Sequence, residues 1–426
     1  MKRLSPAVLA MAIACIALAA GLAACGDDDD SGDGGSSGGG GKVGEVVIGA
    51  SLPITGDLAD YAGPGQKAAE MAIAEIKKAG GQVTLEIADN QTNPEGAVQA
   101  ARELVAKDVS CIAGAWASTD TIPTARSVTI EEEIPLISPS STSADITGIE
   151  DDGLVARTVP ADNLQGPALA NLIEQSIGGA EGKTVNIGAR DDAYGSGFVE
   201  FFTTAWEDKG GTIGESVLYD PDQPSYNSEA QQITSGNPDA FVIVDFPETF
   251  IKVGPALERT GNWDPAKTFI TDGLASDELA AEPFMEGVRG TAPGTPEEGA
   301  TSVAFGQLYE KSPPQDVARQ TFDAQNFDAV MLCYLAAVAA GSTDGLAIAD
   351  ALQDVSGPGG KKYAWNELPE AIKALENGED IDYVGAAGEI DLDENGDPTV
   401  GVYDQYEIKN GAITPAGAQI DAQSLE

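Results

Sequence analysis

The chain predicts an α/β protein of two lobes, each a parallel sheet with helices on both faces, joined by several crossovers. Three observations predict it. From Glu45 onward, short β-branched runs alternate with amphipathic helical runs. At Leu154–Asn163 (LVARTVPADN) the alternation is interrupted and then restarts. Near Gly287–Gly294 (GVRGTAPG) a further extended stretch is followed by helices rather than by another strand. Strand–helix alternation builds parallel sheets, because parallel neighbours need a crossover connection. A unit that stops and restarts makes two lobes, and adjacent crossovers make a hinge with a cleft beside it.

In order, EVVIGAS reads as a buried strand, and GQKAAEMAIAEIKKAGG as a helix with Ala68, Met71, Ala72 and Ile76 on one face. VTLEIAD is the second strand, and PEGAVQAARELVAKD a helix with Pro94 in its first turn. Strand CIAGAW, helix DTIPTARSVTIEEE and strand IPLIS complete the first unit. The second unit runs TVNIGAR, YGSGFVEFFTTAWEDKGG, TIGESVLY, YNSEAQQITSG, AFVIVDF, ETFIKVGPALERTG and TFITDG. The helices FGQLYEKS, FDAVMLCYLAAVAAG and GLAIADALQDV are expected to return to the first lobe. GEIDLDENGDPTVGVYDQYEIKNG reads as strands paired around an Asp/Gly turn, with a third crossover. The expected boundaries are 45–158 plus 292–397 for lobe 1 and 159–291 plus 398–426 for lobe 2.

The first 24 residues read as a leader: Lys2 and Arg3, then an apolar run from Ala7 to Ala24. Its end, Leu22-Ala23-Ala24-Cys25, is similar to the lipobox of bacterial lipoproteins, where the cysteine becomes the lipidated N-terminus. Residues 25–44 are then a Gly/Ser/Asp-rich tether with nothing to bury. Of the remaining cysteines, Cys111 and Cys333 both sit in apolar context. The residues leave open a disulfide or two buried thiols.

Composition excludes several functions. With a formal net charge of −46, no face can be basic enough to replace phosphate counterions or bind anionic lipid, so neither nucleic acid nor a bare membrane surface is a partner. The chain has no histidine, which removes the Ser-His-Asp and Cys-His arrangements and the commonest zinc ligand. No cofactor or metal is expected. DLDENGDP at 391–398 puts Asp391, Asp393, Asn395 and Asp397 at the early positions of a calcium loop. Val402 stands where a bidentate glutamate is needed, so the stretch reads as a turn.

The two apolar runs CIAGAW and IPLIS both end at clusters of small hydroxyl residues. The first cluster holds Ser118, Thr119 and Thr121, the second Ser138, Ser140, Ser141 and Thr142. In open α/β sheets ligands bind beyond the carboxyl ends of the strands, where helix N-termini offer free N–H groups. Two such clusters at successive strand ends suit a small carboxylate.

The lipobox, the tether, IGASLPITGDLADYAGPGQKAAEMAIAEI, IADNQTNPEGAVQAARELV, AGAWASTDTIP, IPLISPSSTS, RTVPADNLQGPALA and DDAYGSG occur here in that order. This series resembles the substrate-binding lipoproteins of ABC importers, of the leucine/isoleucine/valine-binding type, over about Val46 to Asn410. The resemblance implies a two-lobed type I periplasmic-binding-protein fold on the outer side of a lipid-anchoring membrane. It also implies a permease and an ATPase as partners, and no chemistry on this chain.

Residue by residue, the resemblance implies that Ser118, Thr119, Ser140, Ser141 and Thr142 hold the ligand's carboxylate, with the carbonyl near Ser140 sharing its ammonium. It places the opposing acid at Asp272, where the family usually has a longer glutamate. Tyr61, Tyr194 and Trp116 fall at pocket positions. Phe246 stands where a tyrosine is common, with Asp245 beside it. The shorter acid and the missing hydroxyl leave open a short amide, urea or an aromatic acid as ligand, and a sensor instead of an importer. A hydrolase built on Asp191 and Asp192 is disfavoured, because neighbours in a strand face opposite ways.

Overall fold

The computed structural model describes residues 42–425, so the leader, Cys25 and nearly all of the tether lie outside the described residues. The first lobe opens with β1 (Val46–Leu52), α1 (Ala62–Lys78), β2 (Val83–Asp89) and α2 (Pro94–Val105). It continues with β3 (Cys111–Ala113), α3 (Ser118–Thr124), β4 (Leu136–Ser138) and β5 (Val155–Arg157). These strands pair in parallel in the order β2-β1-β3-β4-β5. Local chemistry fixes the helix starts: Asn93 caps α2 by accepting from Gly96 N at 2.8 Å, with Pro94 at the first helical position. The segment expected as one helix after CIAGAW is α3 followed by a wider turn at Ala125–Thr129; Pro123 lies inside α3.

After Arg157 the chain crosses into a second sheet. It contains α4 (Asp162–Ile177), β6 (Thr184–Arg190), α5 (Ala193–Asp208), β7 (Thr212–Tyr219) and α6 (Asn227–Ile233). Then follow β8 (Ala240–Val244), α7 (Pro247–Arg259), β9 (Thr268–Ile270), α8 (Asp277–Ala280) and β10 (Arg289–Pro293). Strands β10-β9-β8-β6-β7 are parallel.

Beyond Pro293 the chain returns through α9 (Ala300–Lys311), α10 (Asp323–Ala340), α11 (Gly345–Asp350) and α12 (Leu352–Ser356). A two-stranded parallel ribbon, β11 (Lys361–Ala364) and β12 (Ile381–Val384), flanks α13 (Leu368–Glu376); sequence reasoning gave neither strand. Helix α10 is buried along Asp323–Val338 and apolar on every side from Ala329 onward, so it forms the middle of the first lobe's main core. No single described helix is long and apolar enough to cross a membrane. Cys333 on α10 is disulfide-bonded to Cys111 on β3, with Cα atoms 5.7 Å apart, so the bridge joins the core helix to the sheet.

The tail departs from expectation. The 391–398 stretch is a self-closed turn with one bridge, Leu392 to Pro398, rather than a hairpin. Asp393 Oδ1 accepts from Asn395 N at 2.8 Å and Asp397 N at 3.0 Å. Asp397 pairs with the buried Arg157 at 2.5 Å and accepts from Thr147 Oγ1 at 2.6 Å. These acids are engaged within the chain, and no group suited to a metal occurs among the described residues. The paired strands come later. β13 (Val402–Lys409) runs antiparallel to β10 and turns at Asn410-Gly411, both at positive φ, into β14 (Ala412–Pro415). With β15 (Ile420–Asp421) on β13, the second sheet is mixed at this edge.

Candidate functional site

The carboxyl ends of both parallel sheets supply the walls of one narrow interlobe cavity. From the first lobe come Leu58, Tyr61, Trp116, Ala117, Ser118, Ser140 and Phe322; from the second come Tyr194, Phe246, Asp272 and Gly273. About 300 Å³ lies between these walls, of which about 10 Å³ is open to the centre of a water molecule.

The first lobe's wall is two loops stitched together by hydroxyls. Ser140 Oγ and Ser141 Oγ donate to the Trp116 carbonyl at 2.8 and 3.0 Å, and Ser138 Oγ donates to the Ala115 carbonyl at 2.6 Å. Thr121 and Ser141 hydroxyls share a bond of 2.8 Å. Ser118 differs: its Oγ accepts from Ser143 N at 3.1 Å, which leaves its proton free to donate. Ser118 therefore offers a donor, whereas Ser140 Oγ, its proton committed to Trp116, offers lone pairs. Thr119, Ser141 and Thr142 do not line the cavity. Ser141 is the stitch between the loops, Thr119 is partly exposed, and the buried Thr142 hydroxyl lies beside the Asp162 carboxyl.

Trp116 needs the glycine opposite it. A Cβ on Gly65 of α1 would meet the indole at 2.6 Å. The ring stands edge-on to Phe322, with centroids 6.2 Å apart, and Phe322 also leans on Tyr61 at 5.9 Å. Phe322 holds φ +72°, a left-handed conformation that bulky residues adopt only under constraint from their surroundings. No periodic signal marks Phe322, Leu58, Ala117 or Gly273 in the sequence, because each lies in a loop.

The second lobe's wall is built around an acid. Asp272, following β9, is 1% exposed, and its Oδ1 accepts from Tyr194 OH at 2.6 Å and Gly273 N at 2.9 Å. The buried Gln165 side chain lies against the same carboxyl and, like Tyr194, favours its ionised form. Burial raises the Asp272 carboxyl to about 6, although the hydrogen bonds oppose the rise. Tyr61 OH reaches across from the first lobe to the Asp272 and Gly273 carbonyls at 3.3 and 3.2 Å.

Behind the acid is a stack. Tyr194 lies flat on Phe246 (5.2 Å, 9°), and the Arg190 guanidinium covers the other face of Phe246 at 3.8 Å from its centroid. Arg190 pairs with Asp192, with Asp245 at 3.6 Å, and across the cleft with Asp57 at 3.3 Å. Asp57 also accepts from Thr249 Oγ1 at 3.1 Å. Asp245 serves this cluster through Arg190 and Tyr219 OH (2.7 Å) and does not line the cavity. Asp192 caps α5, accepting from Tyr194 N and Gly195 N at 3.1 and 3.0 Å, and Asp191 is exposed. The two do not form an acid–base pair.

One buried carboxylate thus faces a serine with a free proton across a slot walled by aromatics. As it stands the slot has room for about one water; its lining groups suit a small ammonium-bearing solute or a flat ring once the lobes part, and no nucleophile–base pair occurs among the described residues lining it.

Comparison with known proteins identifies the family and the fold. Residues 45–367 match the family described as periplasmic binding protein. The chain is similar to the "Leu/Ile/Val-binding protein homolog 1" of Brucella melitensis, 25% identical, covering 86% of this chain and 91% of that protein. Two solved structures share the fold. The branched-chain amino acid transporter substrate-binding protein LivJ of Streptococcus pneumoniae, in complex with isoleucine, has a TM-score of 0.71 at 20% identity and covers 89% of this chain and all of that one. A solute-binding protein from R. palustris, in complex with benzoate, has a TM-score of 0.67 at 20% identity, over 88% and 96%. With three quarters of its length inside the family match and both sheets closing on one interlobe cavity, the chain belongs to the periplasmic binding protein family.

Proposed function

We propose that this protein is the extracytoplasmic solute receptor of an ABC importer and captures a small amino acid between its lobes. In this reading Asp272 Oδ2 takes the ammonium, with Ser140 Oγ offering a lone pair. The Ser118 hydroxyl and the N–H groups of the two hydroxyl loops take the carboxylate. Tyr61, Trp116, Tyr194, Phe246 and Phe322 enclose the side chain. Burying either charge of a zwitterion without a partner costs several kcal/mol, about 2–7 for an unmatched polar group, so opposed partners on two lobes favour the shut form. Lobe 1 (45–158 plus 292–397) and lobe 2 (159–291 plus 398–426) close about the three crossovers. Cys25 carries the lipid, residues 25–44 tether the receptor to the membrane, and a permease with its ATPase receives the closed form. The chain performs no catalysis.

The observation that carries this reading is Asp272 and Ser118 facing one narrow cavity from opposite lobes. Thermal shift and calorimetry with the free L-amino acids test it, since a ligand that binds only the folded state raises the melting temperature. A dose-dependent shift for at least one of them is expected; none across the set would overturn it.

A second reading, an aromatic acid as ligand, draws on the stacked Tyr194–Phe246 wall and the edge-on Trp116. A larger shift with benzoate than with any amino acid, undiminished in Asp272→Asn, would favour it.

A further inference from the structure

On the hinge side of the cleft lies a second cavity, about 390 Å³, within the range of small-molecule sites. It has walls from both lobes: Ser302, Val303 and Gly306 of α9 with Arg319 on one side, and Asp404 and Tyr406 of β13 with Ala292 on the other. Arg319, Asp404 and Glu297 are the charged groups that line it. Arg319 spends Nε and Nη2 on Asp323 (3.0 and 2.8 Å). Its Nη1 has no hydrogen bond among the described residues and lies beside Gly306, 3.7 Å from where a Cβ would stand. Asp404 accepts from Gln419 through Oδ1 alone (2.6 Å). Ser302 in the same wall is 5% exposed, and its covered hydroxyl has no partner among the described residues. Val303, Pro296, Ile413 and Pro415 supply apolar surface between these groups.

We propose that this cavity is a second ligand site, for a small zwitterion with an apolar body. Its carboxylate meets Arg319 Nη1, and its ammonium meets Asp404 Oδ2, with Glu297 on the same acidic side. The site is separate from the cleft, yet two segments serve both. Ala275 borders the hinge cavity and ends the turn that carries Asp272, while Thr321 borders it and precedes Phe322 of the cleft wall. A guest here touches both lobes, so it favours one lobe arrangement over another only to the extent that it binds that arrangement better.

The test is calorimetric titration of L-leucine, isoamylamine and isocaproate (leucine without its carboxylate, or without its amine) into four full-length proteins. These are the wild type, Asp272→Asn, Gly306→Trp and the double variant. Asp272→Asn disables the cleft, whereas Gly306→Trp fills the hinge cavity from a partly exposed helix face. Leucine is expected to bind Asp272→Asn, to bind the double variant at least about tenfold more weakly, and to outbind both of its halves by a similar factor. Loss of all leucine binding in Asp272→Asn, or equal affinity in Asp272→Asn and the double variant, would overturn the proposal. Loss in Asp272→Asn alone sinks the hinge site and leaves the cleft reading standing. Loss in Gly306→Trp alone does the reverse. Should Gly306→Trp fail to fold, Asp404→Asn in the Asp272→Asn background decides, with the same tenfold weakening expected.

Discussion

The two walls of the cleft are held in place by different means. The first lobe's wall is fixed from within: Ser138, Ser140, Ser141 and Thr121 bond to backbone carbonyls or to one another, all inside one lobe. The second lobe's wall is held by its own residues and, in addition, by a tie to the other lobe. Its acid is set by Tyr194, which lies on Phe246, which lies under Arg190, and Arg190 pairs with Asp57 across the cleft. The stitched wall uses bonds within one lobe only, whereas the stack behind the acid also uses the Arg190–Asp57 pair, which forms only where the lobes meet. The ligand's carboxylate end would thus find a preformed seat, and its amine end would report closure.

The harshest trial of that contrast is Asp272→Ala. Leaving a buried charge without its partner costs about 3–5 kcal/mol, so affinity for an ammonium-bearing ligand should fall by about a hundredfold or more. Removing an acid whose ionisation burial opposes should not lower the melting temperature. Calorimetry and thermal denaturation check the two halves; unchanged affinity would remove Asp272 from the site.

Stability should divide the lobes the other way. The Cys111–Cys333 bridge spans 222 residues and joins the first lobe's sheet to its core helix. Replacing both cysteines by serine should cost about 2–5 kcal/mol of stability. Ligand affinity should change by less than about threefold, since neither residue approaches the cleft walls. An equal loss in affinity would mean that the first wall is less self-sufficient than its hydrogen bonds imply.

Acidity offers a reversible version of the first trial. Asp272 sits near 6 because burial opposes its charge, so it is ionised at neutral pH and protonated below. Affinity for an ammonium ligand should weaken by up to about tenfold per pH unit below 6. Stability runs with the opposite sign. Asp272 near 6, with Asp245 and Asp328 near 7, has a folded value above the unfolded one. Their contribution is fully present below about 3.8 and is lost as pH rises through 6 to 7. Ligand-free protein should melt higher at pH 5 than at pH 8 as far as these groups govern it, while binding is poorer at pH 5. Parallel movement of the two would rule out Asp272 as the group responsible for the binding profile.

A subtler lever acts at the end of the stack. Asp57→Asn keeps the shape but weakens the interlobe pair, and should cost about threefold to tenfold in affinity. Arg190→Lys keeps the charge but gives up the planar group over Phe246, and should cost about as much. Small-angle scattering on ligand-free Asp57→Asn should show a larger radius of gyration than the wild type. No change in either measure would reduce the cluster to a surface ornament of the second lobe.

How legible this contrast was in the sequence follows from where each part is encoded. The parallel sheets were legible because β-branched runs and helical stripes are local patterns, and α10, expected back in the first lobe, is buried in that lobe's core. Strands β11 and β12 were not, since a four-residue ribbon has too few positions to show a period. The turn at Asp393 and the one at Asn410 carry similar Asp/Asn-Gly signals, and only the pairing of β13 with β10 decides which becomes the hairpin. At the site, seven of the ten expected residues line the cavity. Thr119, Ser141 and Thr142 do not, because adjacent hydroxyls in one loop point different ways and sequence cannot say which proton is already committed. Arg190 went unnoticed for a related reason: its partners Asp57, Asp192 and Asp245 come from three separate loops.

The smallest effects make the finest distinction, between two serines that look alike. Ser118→Ala removes the one hydroxyl proton that the first wall leaves free, while its backbone still permits the helix start. A lost hydrogen bond to a charged group is worth about 1.5–3 kcal/mol, so affinity for a carboxylate-bearing ligand should fall by about tenfold or more. Ser141→Ala removes a stitch instead. It leaves the Trp116 carbonyl with the Ser140 donor at 2.8 Å, and leaves Thr121 with the Ala115 carbonyl at 3.3 Å. Stability should drop by about 1 kcal/mol, with affinity within about twofold of wild type. If the two serines exchange these roles, with Ser141 governing affinity and Ser118 only stability, the wall is not fixed from within, and both jaws owe their shape to the guest.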